Sequence, residues 1–97
     1  MRTLLKFYLD VEAANNAIKN GTFPGMMEKL MQITQPEASY FGTDNGDRTG
    51  FIFFDMKDPS VIPQIGELLY MGGNAKIFFQ PIMNMEDLQK GLKAAFG

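Results

Sequence analysis

Four stretches of the chain alternate strongly apolar with mixed residues at a period of two, which is typical of β-strands. They cover 3–9, 38–43, 48–56 and 75–83. Between the first two stretches, between the last two and after the fourth, apolar residues recur every three or four positions, which is typical of amphipathic helices. The pattern therefore predicts four strands connected and followed by helical segments.

Capping and turn residues set the helix limits. Asp10 is expected to cap a short helix over 11–19, which Asn20-Gly21 ends. A second helical piece starts at Thr22 and stops before Pro36, because the residue before a proline resists helical geometry. Asp58-Pro59 opens the next helix, and Gly72-Gly73 closes it. The last helix starts at residues 84–87 with two carboxylates near its positive end, and its apolar stripe is Leu88, Leu92 and Ala95.

Asn45-Gly46 predicts a two-residue hairpin turn, because both central positions of a type I′ turn need positive φ. With that loop, Tyr40 pairs with Phe51 and Phe41 pairs with Gly50. One face of the hairpin then carries Ala38, Tyr40, Phe51, Phe53 and Asp55. The other face carries Phe41, Ile52, Phe54 and Met56. Both sets are largely apolar, so the pattern leaves open which of them meets the helices.

The order β-α-β-β-α-β with an extra C-terminal helix predicts an α+β, ferredoxin-like fold. Residues 1–97 then form a single domain with a four-stranded antiparallel sheet in the order 4-1-3-2 and with helices on one face. The third strand is central, in agreement with its unbroken run of apolar residues over 51–54. Pro81 suits an edge strand.

The helices can cover only one side of this sheet. The other side has Leu4, Lys6 and Tyr8 of the first strand, Phe78 and Ile82 of the fourth, and one set of the third. Its projected area is roughly 300 Å², a size that usually marks an interaction site. We therefore expect a homodimer with sheets packed face to face. The alternative is a monomer whose terminal helix folds under its own sheet.

Composition narrows the function classes. The chain has no cysteine, histidine or tryptophan, so it lacks the commonest catalytic bases, nucleophiles and transition-metal ligands. Its nine lysines and arginines are scattered and the net charge is −2, which disfavours nucleic-acid binding. No apolar run is long enough to cross a membrane. We expect a cytoplasmic protein without cofactor or metal.

Several side chains on the open side are candidates for ligand binding. Lys6, Tyr8, Lys76 and Gln80 share one phase of neighbouring strands and can orient an anionic or carbonyl ligand. Asp55 becomes a candidate base only if it is buried, because burial raises a carboxyl pKa. Arg48, beside the turn, is expected at the surface or paired with Asp44 or Asp47. The candidate ligand-binding set is Lys6, Tyr8, Tyr40, Asp55, Lys76, Phe78 and Gln80, and no residue is assigned a catalytic role.

The chain, from "LLKFYLDVEAANNAIKNG" to "FFQPIMNMEDLQKGL", resembles the dimeric α+β-barrel superfamily, and most closely its small uncharacterised bacterial members. The resemblance implies dimerisation through the sheets and a small-molecule cavity between sheet and helices. Enzymatic members of the superfamily commonly use histidine, and some use tryptophan or asparagine. Three functions therefore stay open: a small-ligand-binding or assembly protein, a cofactor-independent enzyme of the monooxygenase or isomerase type, and a subunit that docks onto another protein through its open sheet.

Overall fold

A computed structural model describes residues 1–97 and confirms the predicted α+β, ferredoxin-like architecture. Four strands and four helices follow one another along the chain. They are β1 (Arg2–Leu9), α1 (Val11–Asn20), α2 (Phe23–Thr34), β2 (Ala38–Asp44), β3 (Asp47–Asp55), α3 (Val61–Gly73), β4 (Lys76–Pro81) and α4 (Met85–Phe96). The predicted ends of the strands are correct to within two residues.

The strands form one antiparallel sheet in the order β2-β3-β1-β4, which is the predicted order read from the opposite edge. The hairpin turn at Asn45-Gly46 has φ values of 55° and 81°, as the type I′ prediction requires. Tyr40 consequently lies opposite Phe51, and Phe41 opposite Gly50. The turn residues therefore set the register of the hairpin correctly.

The core lies between the sheet and the helices α1, α2 and α3. Ile52 and Phe54 are fully buried in it, whereas Phe51 and Phe53 are only half-buried on the other side. The hairpin face with Phe41, Ile52 and Phe54 is thus the helix side. The core residues are Leu5, Phe7, Leu9, Ala14, Met26, Leu30, Ile52, Phe54, Ile65, Leu69 and Ala75.

One glycine of β3 is required by this packing. A Cβ at Gly50 would lie 2.5 Å from Cε1 of Phe7, because the aromatic ring crosses directly over the glycine. Gly42, in the neighbouring strand, has no atom within 4 Å of a Cβ position. The ring of Phe7 therefore occupies the space that a side chain at residue 50 would need.

The terminal helix α4 extends away from this body. None of its residues is buried, and the molecule measures 56 Å along its longest axis against 27 and 18 Å across. The radius of gyration is 15.5 Å, compared with about 12.5 Å for a compact chain of this length. The helix α4 does not fold under its own sheet. None of the helices combines the length and the apolar composition that a membrane span demands.

Candidate ligand-binding site

All seven predicted ligand-binding residues have the phase of the open face of the sheet, the side without helices. Cross-strand pairing places Lys6 opposite Phe78, Tyr8 opposite Lys76 and Tyr40 opposite Phe51. Gln80 faces Leu4 in the same register. Asp55 lies apart from them at the end of β3. The alternation of the strands thus placed most of this set correctly on one surface.

Lys6 and Tyr8 form a closed polar network with Asp44. The Tyr8 hydroxyl donates to Asp44 Oδ2 at 2.5 Å, and Lys6 Nζ lies 2.9 Å from the same oxygen. The hydrogen bonds from Tyr8 and Lys6 lower the pKa of Asp44, and Tyr8 and Asp44 together raise the pKa of Lys6. Asp44 therefore remains an anion and Lys6 a cation at neutral pH. Neither group is suited to transfer protons there.

The open face has only a shallow hollow. It is lined by Leu4, Lys6, Tyr8, Phe78 and Gln80 and measures about 230 Å³. Small-molecule sites usually occupy about 300–1,000 Å³. Within one chain, the predicted set therefore forms a surface patch with little depth.

Asp55 is exposed and accepts a hydrogen bond from the N-terminal ammonium of Met1 at 2.7 Å. This hydrogen bond and the charge of the ammonium lower the pKa of Asp55. Asp55 was a candidate general base only if it were buried with a raised pKa, and neither condition is met. Asp55 instead acts as an ionised partner that attaches the start of β1 to the end of β3.

A larger cleft lies on the opposite side of the sheet, between the start of α2 and strands β2 and β3. Its volume is about 510 Å³, within the usual range for small-molecule sites. Its lining is largely apolar. The lining residues are Phe7, Leu9, Phe23, Met27, Phe41, Gly42, Thr43, Arg48, Thr49 and Gly50.

Arg48 brings a positive charge to this cleft. Its guanidinium donates to Oδ1 of Asn15 at 2.9 Å and to the carbonyl oxygen of Val11 at 3.4 Å. No carboxylate lies within 4 Å, so the expected pairing with Asp44 or Asp47 is wrong. Asp44 pairs instead with Lys6, because both lie on the open face while Arg48 lies on the helix side.

The resemblance implies a cavity between sheet and helices, but none of the residues that line this cleft was among the predicted ligand-binding residues, although the sequence of β3 contains a signal for it. Arg48 and Gly50 have the same phase along β3 as Ile52 and Phe54. An arginine in the phase of a buried apolar set indicates a place where the core ends, because charged side chains are rarely buried. Gly50 instead gives room to the ring of Phe7. No group of three or more acidic, histidine or cysteine residues is arranged to hold a metal ion.

Comparison with known proteins assigns the chain to no family. No protein-family model matches the chain, and no curated protein matches it. Among solved structures, the chain is similar to the de novo designed protein Ferredog-Diesel, with a TM-score of 0.49 and 9% sequence identity. The similarity covers 84% of this chain and 85% of the designed one. The structure itself shows a small α+β fold with one four-stranded antiparallel sheet.

Proposed function

We propose that this protein is a homodimer of the dimeric α+β-barrel type that binds a small apolar carboxylic acid in the cleft between α2 and the β2–β3 hairpin. The observation that carries the proposal is an apolar cleft of about 510 Å³ whose lining includes the guanidinium of Arg48, which has no carboxylate within 4 Å. The proposal includes the cytoplasmic location and the bacterial origin suggested by the absence of cysteine and by the resemblance. The protein is proposed to bind its ligand without chemical conversion.

The shape and lining of the cleft favour a ligand with an apolar body. Phe23 and Met27 contribute the α2 wall, and Phe41 contributes the β2 wall. Phe41 is half-exposed even though it lies on the helix side of the sheet, because the cleft separates it from α2. An apolar ligand would cover these side chains, at a gain of about 25 cal/mol for each Å² of apolar surface removed from water.

Arg48 favours an acidic group on that ligand. A guanidinium has five N–H donors, and the contacts with Asn15 and Val11 both use neutral acceptors. The charge of Arg48 is therefore not neutralised by the protein. A carboxylate can accept two parallel hydrogen bonds from the fork of a guanidinium, which an amide or an alcohol cannot reproduce.

The test is a binding series with matched acids and amides. Benzoate, 3-phenylpropanoate and hexanoate would each be titrated beside the corresponding carboxamide, with amide chemical shifts as the readout. We expect the acids to bind at least tenfold more tightly than their amides and to shift Phe41 and Gly50. Arg48→Gln should remove the preference for acids, and Lys90→Gln, on the exposed α4, should leave it unchanged. Shifts confined to the open face, or equal binding of acids and amides by the parent protein, would refute the cleft as an acid site.

The open face supports the dimer. Its half-buried and exposed aromatic side chains, Tyr8, Tyr40, Phe51, Phe53 and Phe78, lie on all four strands. Lys6, Tyr8 and Asp44, which lie among them, already pair with one another. Burial of these three side chains against a second copy therefore leaves none of the three without a partner.

Sedimentation velocity tests the dimer with a matched pair of aromatic substitutions. Phe78 on the open face is 53% exposed, and Tyr70 on α3 is 49% exposed. Phe78→Gln should weaken dimerisation at least tenfold, whereas Tyr70→Gln should leave it unchanged. A parent protein that stays monomeric at high concentration would instead favour docking onto another protein. Equal weakening by both substitutions would place the interface elsewhere.

A further inference from the structure

The helix α4 combines a well-formed start with an unpartnered apolar side. Asn84 Oδ1 accepts from the Asp87 amide at 2.8 Å, and the Asp87 carboxylate accepts from the Asn84 amide at 3.2 Å. Arg2 Nη1 also contacts Asp87 Oδ2 at 3.5 Å, which connects the first turn to β1. The helix thus begins at a defined place on the body.

All the large apolar residues of α4, together with Ala95, form one continuous stripe. At about 100° per residue, they fall within an arc of about 100°, with the four charged residues on the opposite side. The apolar stripe consists of Met85, Leu88, Leu92, Ala95 and Phe96, and the charged residues are Glu86, Asp87, Lys90 and Lys93. Every residue of this stripe is exposed within its own chain. A helix of 12 residues is only marginally stable in water without packing, so this stripe needs a partner.

The length of the linker places a second copy within reach. Residues 82–84 separate β4 from α4 and span at most about 10 Å when extended. Sheets packed face to face lie about 10 Å apart. Since β4 is an edge strand, a helix that starts three residues after it can pass the edge and contact the opposing copy.

The contact area that a stable dimer needs gives an independent reason for placing α4 on the second copy. The open face alone supplies roughly 300 Å² per copy, against about 800 Å² per partner in a standard stable interface. One α4 stripe, about 18 Å long and about 10 Å wide, covers about 180 Å². Because the received helix lies on the open face that is already counted, each copy contributes its open face and its own stripe, about 480 Å² of projected area. The exchange of helices therefore brings the sheet dimer nearer to the size of a stable interface.

We infer that α4 is an exchanged arm: in the dimer, its apolar stripe packs against the open-face surface of the second copy, and the second copy returns the same contact. The arm makes no corresponding contact within its own chain. This inference rests on the proposed sheet dimer and adds a second, separable component to it.

Intermolecular paramagnetic broadening tests the arm directly, and the absence of cysteine allows a single labelled position. A Lys93→Cys chain with a nitroxide label would be mixed with ¹⁵N-labelled parent chain, and amide intensities compared before and after reduction of the label. We expect broadening of the ¹⁵N chain on the open-face strands and on α4. Broadening at the outer groove between α2 and α3, where Lys29 and Met71 lie, would instead indicate head-to-tail association and refute the exchange.

A matched pair of substitutions within α4 completes the test. Leu92→Gln should weaken dimerisation at least tenfold in sedimentation velocity, whereas Ala94→Gln, on the other side of the helix, should change it less than twofold. A dimer without intermolecular broadening would refute the exchanged arm and leave the sheet dimer standing. A monomeric parent protein would refute both, while the acid-binding cleft would still be testable within one chain.

Discussion

The two faces of the sheet are built from alternate residues of the same strands, but they differ in how completely they are covered. On the helix side, Ile52 and Phe54 have less than 2% of their surface exposed. On the open face, Phe51 and Phe53 stay half-buried, and Tyr8 pairs with Asp44. The helix side therefore supplies the stability of one chain, whereas the open face and α4 have apolar surface that a second chain can use.

The largest expected effect compares two neighbouring phenylalanines of β3. Phe54→Ala should lower the free energy of unfolding by about 3–5 kcal/mol, because it leaves a cavity in a packed core. Phe53→Ala should cost about 1 kcal/mol in the monomer, since its ring is only half-buried beside Tyr40. Urea denaturation followed by circular dichroism would measure both.

Protein concentration sharpens this comparison. The loss caused by Phe54→Ala should be nearly independent of concentration, whereas the loss caused by Phe53→Ala should increase with concentration as the parent dimer forms. Equal losses at every concentration would contradict the assignment of the two faces to different roles.

Much of this architecture could be predicted from the sequence. The strand pattern, the Asn45-Gly46 turn and Pro81 at an edge together specified the strand order and register, because each signal is local. The choice of face for β3 was not predictable, since both of its residue sets are apolar. That choice depends on how the helices dock, which is a long-range property.

The candidate site was harder to predict from the sequence than the fold. Lys6 and Tyr8 were correctly grouped by strand alternation, but their partner Asp44 was not identified. Arg48 was expected at the surface or paired with Asp44 or Asp47, which are close to it in the chain. Its actual contacts, Asn15 and Val11, are more than 30 residues away and depend on where α1 crosses the sheet. Closeness in the chain therefore did not identify the partners of Arg48, because tertiary packing determines them.

The next effect in size concerns the close approach of Phe7 to β3. Gly50→Ala should destabilise the fold by about 1–3 kcal/mol, because a Cβ would overlap the buried ring of Phe7. Gly42→Ala in the paired strand meets nothing within 4 Å and should be neutral or slightly stabilising. Thermal unfolding of both variants would measure the difference. A neutral Gly50→Ala would show that the core shifts more freely there than close packing allows.

A smaller effect is expected when the N-terminal cap of α1 is removed, and it can be compared with removal of the cap of α4. Asp10 caps α1 and accepts from the Ala13 amide at 3.0 Å, so Asp10→Ala should lower global stability by about 1 kcal/mol. Asn84→Ala removes the cap of α4, a helix that has no buried residue. We expect it to lower the helical signal of α4 without moving the urea midpoint at concentrations below dimer formation. A global loss equal to that of Asp10→Ala would mean that α4 belongs to the folded body.

The smallest effect depends on pH and concerns the network of the open face. The folded-state pKa of Asp44 is lowered by Tyr8 and Lys6, so its ionisation stabilises the folded state above its unfolded pKa near 4, and this contribution is lost as the pH falls below that value. The pKa of Lys6 is raised by Tyr8 and Asp44, so its contribution is present below its ordinary value near 10.5 and is lost as the pH rises above it. Asp44→Asn should therefore lower the urea midpoint at pH 7, and the gap to the parent protein should narrow as the pH falls below about 4. The control is Asp47→Asn: the carboxylate of Asp47 contacts no cation within 4 Å, so this variant should follow the parent protein at pH 7 and at pH 3. A gap between Asp44→Asn and the parent protein that persists undiminished at pH 3 would show that the open face is held by packing of its aromatic residues, with no contribution from this ion pair.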